Sequence, residues 1–173
     1  PLLWAMPRPI TNPLLSLLEE TGAMPDVGEP APDFTLPTTR GDVSLRKLHE
    51  GKKVVIAFYI DDHGPICELE LSSLKKEYAR IQELGADVIA IGGDSLESHH
   101  RFDEAAGGCP FPLASDDGLE VAGLYDAVWA DGGQGIRAVY VVDGSGEIVH
   151  KVPWYQPGDV GQFMGITQAL GLD

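Results

Sequence analysis

Seven consecutive apolar residues, Val54-Val55-Ile56-Ala57-Phe58-Tyr59-Ile60, limit what this chain can become more than any other stretch. The run is rich in β-branched and aromatic residues and far short of the ~20 needed to span a bilayer, so it predicts a strand, 53–60, buried on both faces. Such a strand needs cover above and below the sheet. The hydrophobic pattern supplies it: a helix over about 66–84, a strand at 87–92, a helix over about 96–106, an extended piece near 111–114 and a helical turn at 118–124. Strands at 137–142 and 147–152 then flank Asp143-Gly144-Ser145-Gly146, a hairpin signal, and a last helix follows at about 157–170. Alternation in the first half and a hairpin plus helix in the second predict an α/β fold, with a mixed central sheet flanked by helices on both faces.

A length of 173 residues suits one such domain. Upstream of it, Asn12 and Pro13 read as an N-cap and first helical residue, opening a short apolar-rich helix that ends at Gly22. Residues 1–26 are therefore expected to be an N-terminal helical extension, and 27–173 the domain. The stretch from Val27 to Asp42 is turn-rich, with an extended segment at Phe34–Leu36 and a turn signal at Arg40-Gly41-Asp42.

Twenty-seven acidic residues against twelve basic ones give a net charge of −15, which repels phosphate backbones and anionic membrane surfaces. Neither nucleic acid nor a membrane is expected as a partner. Pro1 to Ala23 has no basic segment followed by an apolar stretch and cleavage site, and the sequence begins without Met. Two cysteines, Cys67 and Cys109, do not make a disulfide scaffold, so a cytoplasmic location is the expectation. His99 and His100 are neighbours and would point about 100° apart on a helix, a poor arrangement for a shared metal. No metal and no cofactor are expected. Asp131-Gly132-Gly133-Gln134-Gly135 precedes a strand rather than a helix, so it lacks the geometry of a phosphate-binding loop.

Cys67 has the most reactive setting. It follows the buried strand by one short loop and opens a helix whose Pro65 sits in the first turn. Free N–H groups and the positive end of the helix dipole there favour a thiolate, the nucleophilic form. Asp61 and Asp62, on the same loop, would oppose it if they pointed inward, and both are expected in solvent.

Together with Val27-Gly28-Glu29-Pro30-Ala31-Pro32-Asp33-Phe34-Thr35-Leu36-Pro37, Gly64-Pro65-Ile66-Cys67, Asp94-Ser95-Leu96-Glu97-Ser98-His99, Phe111-Pro112-Leu113-Ala114-Ser115-Asp116 and the strand opened by Arg137, this arrangement resembles the peroxiredoxin family, in its bacterioferritin-comigratory branch. The resemblance covers most of the chain. It implies a thioredoxin-like fold and a thiol peroxidase in which Cys67 attacks hydrogen peroxide or an organic hydroperoxide and becomes a sulfenic acid. It further implies that Arg137 stabilises the thiolate and the developing oxyanion, with Glu70 holding the arginine in place. The implied reductant is a thioredoxin-like protein or a low-molecular-weight thiol, and the implied assembly a monomer or homodimer.

Two residues depart from the family signature, which would put proline at Ile60 and a hydroxyl residue at Gly64. Glycine cannot donate the hydrogen bond that the hydroxyl gives the peroxide. His63 is a candidate substitute donor, and Gly64 and Ile66 are candidate substrate-binding positions through the backbone. Ser72 occupies the place of one common local resolving cysteine, which leaves Cys109 as the internal candidate and a one-cysteine cycle with an external thiol as the simplest alternative. A second reading is a redox-responsive binding or sensor module with little turnover. A thioredoxin-like disulfide reductase ranks last, because Cys67 has no C-x-x-C partner. Trp154-Tyr155 could form an apolar contact surface or pack against the last helix.

Overall fold

The computed structural model describes residues 25–129 and 133–171. Among them are seven strands, β1 (Thr35–Thr38), β2 (Gly41–Ser44), β3 (Lys53–Phe58), β4 (Ala86–Gly92), β5 (Leu113–Ser115), β6 (Ala138–Val142) and β7 (Ile148–Val152). Five helices accompany them: α1 (Leu45–Leu48), α2 (Pro65–Glu83), α3 (Leu96–Ala105), α4 (Glu120–Leu124) and α5 (Val160–Ala169). One sheet holds all the strands in the order β2-β1-β5-β4-β3-β6-β7. β3, β4 and β5 run parallel, while β1, β2, β6 and β7 join antiparallel.

The apolar run that predicted a doubly covered strand is β3, flanked by β4 and β6. Val54, Val55, Ile56 and Ala57 are fully buried. Because strand side chains alternate, Val55, Ala57 and Tyr59 face one layer and Val54, Ile56 and Phe58 the other. The first layer is closed by Leu71, Leu74 and Ile81 of α2, Ile166 of α5 and Leu170 at the C-cap of α5. The second is closed by Leu45 of α1, Val121 and Ala122 of α4, and the rings of Phe34 and Tyr125. At about 1.5–3 kcal/mol for each large apolar side chain removed from water, these two layers hold α2 and its first turn firmly on the sheet.

Several boundaries differ from those read in the sequence. The last helix begins at Val160 rather than 157, since Asp159 caps it, its Oδ1 accepting from Gln162 N–H at 3.0 Å. β1, β2 and α1 form a hairpin and helical turn where the sequence suggested only an extended piece and a turn; Gly41 closes the hairpin at φ 88°. The helix expected after Asn12 lies outside the described residues. Pro25 and Asp26 are described, and Lys151 of β7 reaches both, its Nζ 3.4 Å from the Pro25 carbonyl and 3.3 Å from Asp26 Oδ1. No helix among the described residues is long and apolar enough to cross a membrane.

Candidate active site

β3 ends at Phe58, and the chain crosses from Tyr59 to Gly64 before α2 begins. Gly64 is the N-cap of α2, with no side-chain cap, and Pro65 follows in the first turn. The first intrahelical donor is Glu68, whose N–H bonds to the Gly64 carbonyl at 3.0 Å. The amides of Ile66 and Cys67 come before it, in the turn whose donors have no helical acceptor. Cys67 is only 3% exposed, and its Sγ accepts a hydrogen bond from Ile60 N–H at 3.4 Å. A proline at position 60 could not make that bond.

Arg137 stands half-buried immediately before β6, one residue earlier than the strand itself. Its carbonyl accepts from Tyr155 N–H at 2.9 Å, and its Nε donates to the Tyr155 carbonyl at 3.4 Å. Arg137, Ile60, Ile136, Trp129 and Trp154 line one cleft. Cys67 Sγ therefore touches the backbone of a residue in the same cleft as the guanidinium.

Glu70 is fully buried on α2, yet neither carboxylate oxygen has a hydrogen-bond partner. Burial pushes its carboxyl well above the usual range, and the Arg137 charge only partly opposes this. The expected Glu70–Arg137 bridge is not formed: the guanidinium is held by the Tyr155 carbonyl instead.

His63 is exposed, its N–H donating to Asp61 Oδ1 at 2.8 Å, and its side chain lines a separate cleft with Glu68, Ser98, Arg101 and Phe102. Ile66 projects its side chain into solvent, 49% exposed. Cys109 is buried, its N–H donating to Asp103 Oδ1 at 2.5 Å and its carbonyl accepting from Arg40 Nη2 at 2.8 Å. Burial, then the Asp103 carboxylate, raise its thiol to about 11. Both cysteines are free thiols.

The expectation that Asp62 lies in solvent is overturned, because its side chain is buried in a polar cluster. Tyr59 O–H donates to its Oδ1 at 2.8 Å and Ser98 O–H to its Oδ2 at 2.7 Å, while His99 Nδ1 lies 2.8 Å from Oδ2. His99, also fully buried, turns Nε2 toward the Ala114 carbonyl at 3.1 Å. Both ring nitrogens of His99 are thus engaged inside the cluster. Burial raises the Asp62 carboxyl, but the hydrogen bonds from His99, Ser98 and Tyr59 outweigh it and hold it below the ordinary value. Asp62 N–H is bound in turn by Asp94 Oδ2 at 2.8 Å. The sequence presents Asp94–His99 as part of a resemblance and His99 as a poor metal ligand; the burial of His99 against Asp62 is a long-range contact that neither reading contains. Trp129 was likewise missed, since nothing in its local sequence pairs it with Trp154. Among the described residues no cluster of three or more His, Cys, Asp or Glu could hold a metal ion.

The AhpC/TSA family model matches residues 27–151. The chain belongs to that family, the peroxiredoxins. It is 32% identical to a peroxiredoxin of Thermoplasma volcanium over 141 residues, 79% of this chain and 68% of the relative. It is 34% identical to the chloroplastic peroxiredoxin Q of Oryza sativa subsp. japonica over 148 residues, 83% of this chain and 67% of the relative. A yeast mitochondrial 1-Cys peroxiredoxin, whose structure was described for a thiol resolving mechanism via glutathione/thioredoxin systems, superposes with a TM-score of 0.74 at 22% identity, covering 85% of this chain and 76% of that one. As a peroxiredoxin the chain has the thioredoxin-like fold that the resemblance implies and is a thiol-dependent peroxidase, an oxidoreductase acting on peroxides. The relatives do not favour the sensor-module alternative.

Proposed function

We propose that Cys67 is the peroxidatic thiol. Its sulfur attacks the terminal oxygen of the peroxide, the O–O bond breaks as the S–O bond forms, and the departing alkoxide or hydroxide takes a proton to leave as an alcohol or water. The observation that carries this reading is the Sγ position, 3.4 Å from Ile60 N–H and at the start of α2. Both features favour negative charge on sulfur. The amides of Ile66 and Cys67 and the Arg137 guanidinium are the groups suited to stabilising the charge that develops on oxygen.

Cys67 sulfenic acid is then reduced by an external thiol, with water released and a mixed disulfide formed, and a second thiol restores Cys67. A buried Cys109 whose thiol stays protonated at neutral pH supports this one-cysteine cycle over internal resolution. The family implies a thioredoxin-type reductant. A cytoplasmic setting completes the reading, since two cysteines do not call for an oxidising compartment.

The test is oxidation by one equivalent of peroxide at neutral pH, with a sulfenic-acid trap and mass spectrometry. A trapped adduct on Cys67, absent from Cys67→Ser, supports the assignment. An adduct on Cys109 alone, or oxidation no faster than that of a free thiol, overturns it.

A further inference from the structure

We propose that the cleft beside Cys67 contains a subsite for the organic tail of a hydroperoxide, walled by Trp129 and Trp154, so that this chain prefers aryl or bulky alkyl hydroperoxides to hydrogen peroxide. The proposal rests on Cys67 being the peroxidatic thiol.

Trp129 and Trp154 come from different parts of the chain yet meet edge to face, their ring centroids 5.0 Å apart and their planes at 65°. They remain 47% and 51% exposed, so among the described residues the pair presents a half-open apolar surface. Both are held. Val128 bridges Gly135, and Trp129 N–H bonds to the Gln134 carbonyl at 2.9 Å. Trp154 sits at φ 60°, a left-handed conformation that costs a bulky residue about 1–2 kcal/mol, and Tyr155 beside it is locked to Arg137 by two backbone-directed hydrogen bonds. Strain of this kind persists where surrounding structure imposes it, and here it sets an indole ring at the mouth of the Arg137 cleft.

The cleft is open to solvent, holds about 70 Å³ and joins the rings to Ile60, Ile136 and Arg137. Ile60 is common to both ends: it lines the cleft with the indoles, and its N–H donates to Cys67 Sγ, which lies behind it. A hydroperoxide with its O–O group at sulfur would lay its carbon tail along Ile60 toward the two tryptophans. Gly64 provides no side-chain donor for the peroxide oxygens, so a substrate held only by its oxygens has less to bind. A tail buried against two indoles restores binding from a remote group. Hydrogen peroxide has no such group.

A matched apolar contact is worth roughly 10–200-fold in specificity. The experiment compares second-order oxidation rates of Cys67 with cumene hydroperoxide and hydrogen peroxide in the wild type, Trp129→Ala, Trp154→Phe and Trp154→Gly. Glycine tolerates the left-handed backbone, so Trp154→Gly removes the ring and relieves the strain, keeping the test clear of misfolding. The expected result is a cumene-to-hydrogen-peroxide ratio above one in the wild type. That ratio should fall at least tenfold in Trp129→Ala and Trp154→Gly and be largely kept in Trp154→Phe. An unchanged ratio in both ring-removal variants overturns the proposal. So does a shift in oligomeric state by light scattering with the ratio unmoved, which would make the pair an interface between copies. As a second readout, Cys67→Ser is titrated with 2-phenyl-2-propanol, the product alcohol, following tryptophan fluorescence. Saturable change is expected, and its absence counts against the subsite. This titration needs no turnover, so it separates failure of the subsite from failure of Cys67 as the reactive thiol.

Discussion

Glu70→Gln asks whether the buried carboxyl works as the family resemblance implies or as the geometry indicates. The resemblance has Glu70 holding Arg137 in place, a role that suits a carboxylate. In the structure the carboxyl is fully buried, its oxygens lack partners, and burial lifts it well above the ordinary 4.5. In the unfolded chain Glu70 loses its proton near 4.5, whereas the fold keeps it protonated to higher pH. Through that window the unfolded state binds fewer protons than the native one, so stability falls as pH rises, by about 1.4 kcal/mol per pH unit for one proton. Glutamine has no proton to lose and nearly the same shape. Below pH 4.5 the variant and the wild type should differ by no more than about 1 kcal/mol, the scale of one altered neutral hydrogen-bonding group. Above it the variant should gain on the wild type with that slope until native Glu70 ionises, after which the difference levels off. Urea melts at half-unit steps from pH 4 to 8 measure this directly. If the wild type instead gains on Glu70→Gln as pH rises, Glu70 is ionised and paired with Arg137, and the reasoning from burial fails.

Gly64→Ser should raise the rate with hydrogen peroxide by about ten-fold or more, because it restores a hydroxyl where the peroxide binds; stopped-flow oxidation measures it. Gly and Ser differ by only a few tenths of a kcal/mol at an N-cap, so its effect on thermal stability is set by how far the Asp61 carboxylate yields, since an added Cβ would lie a tight 3.3 Å from Oδ1. Cys109→Ser should leave turnover with an external thiol unchanged, and peptide mapping of peroxide-treated wild type without reductant should find no Cys67–Cys109 disulfide. Asp62→Asn should cost about 1–3 kcal/mol in a denaturant melt, as it leaves a buried donor among Tyr59, Ser98 and His99 without its acceptor. Asp62 is held below its ordinary value of 3.8, so it stabilises the fold above that pH, and this contribution is lost as pH falls through the folded value. The acid limb of the wild-type stability profile should therefore flatten in Asp62→Asn.

The layered sheet was legible because its signals are local. A run such as Val54–Ile60 has one stable use in a small domain, and the turn chemistry of Asp143–Gly146 fixed the hairpin that follows. Cys67 was legible for the same reason, since a strand, a short loop and Pro65 place it at a helix start without knowledge of the rest. What the sequence hid depends on long-range meetings. Asp62 looked like a solvated loop residue because its partners, Asp94, Ser98 and His99, lie 32 to 37 positions away. Trp129 and Trp154 meet only because β6 and β7 bring their flanking segments together. Glu70 shows the opposite error: its spacing from Cys67 was informative, but three residues along a helix fix a face, not the ionisation state of the group on it.

Taken together, these contacts indicate how the Cys67 loop keeps its shape without the family's proline. Proline would restrict φ at position 60 through its ring. Here the restriction comes from both sides of Ile60 instead. On one side Tyr59 N–H is tied to the Ile91 carbonyl of β4 at 3.0 Å, and its hydroxyl to Asp62. On the other, Asp62 is anchored through its amide to Asp94 and through its carboxylate to Ser98 and His99. Ile60 is thereby clamped between two fixed neighbours, and the N–H that proline would lack points at Cys67 Sγ. The exchange has a chemical consequence beyond geometry. The loop loses the proline shield and the Gly64 position loses its hydroxyl, but sulfur gains a backbone donor and the cleft gains an apolar side chain next to two indoles. A site altered in this way gives up contacts to the peroxide oxygens while keeping charge stabilisation at sulfur, which is the balance expected of a peroxidase that recognises its substrate by the tail.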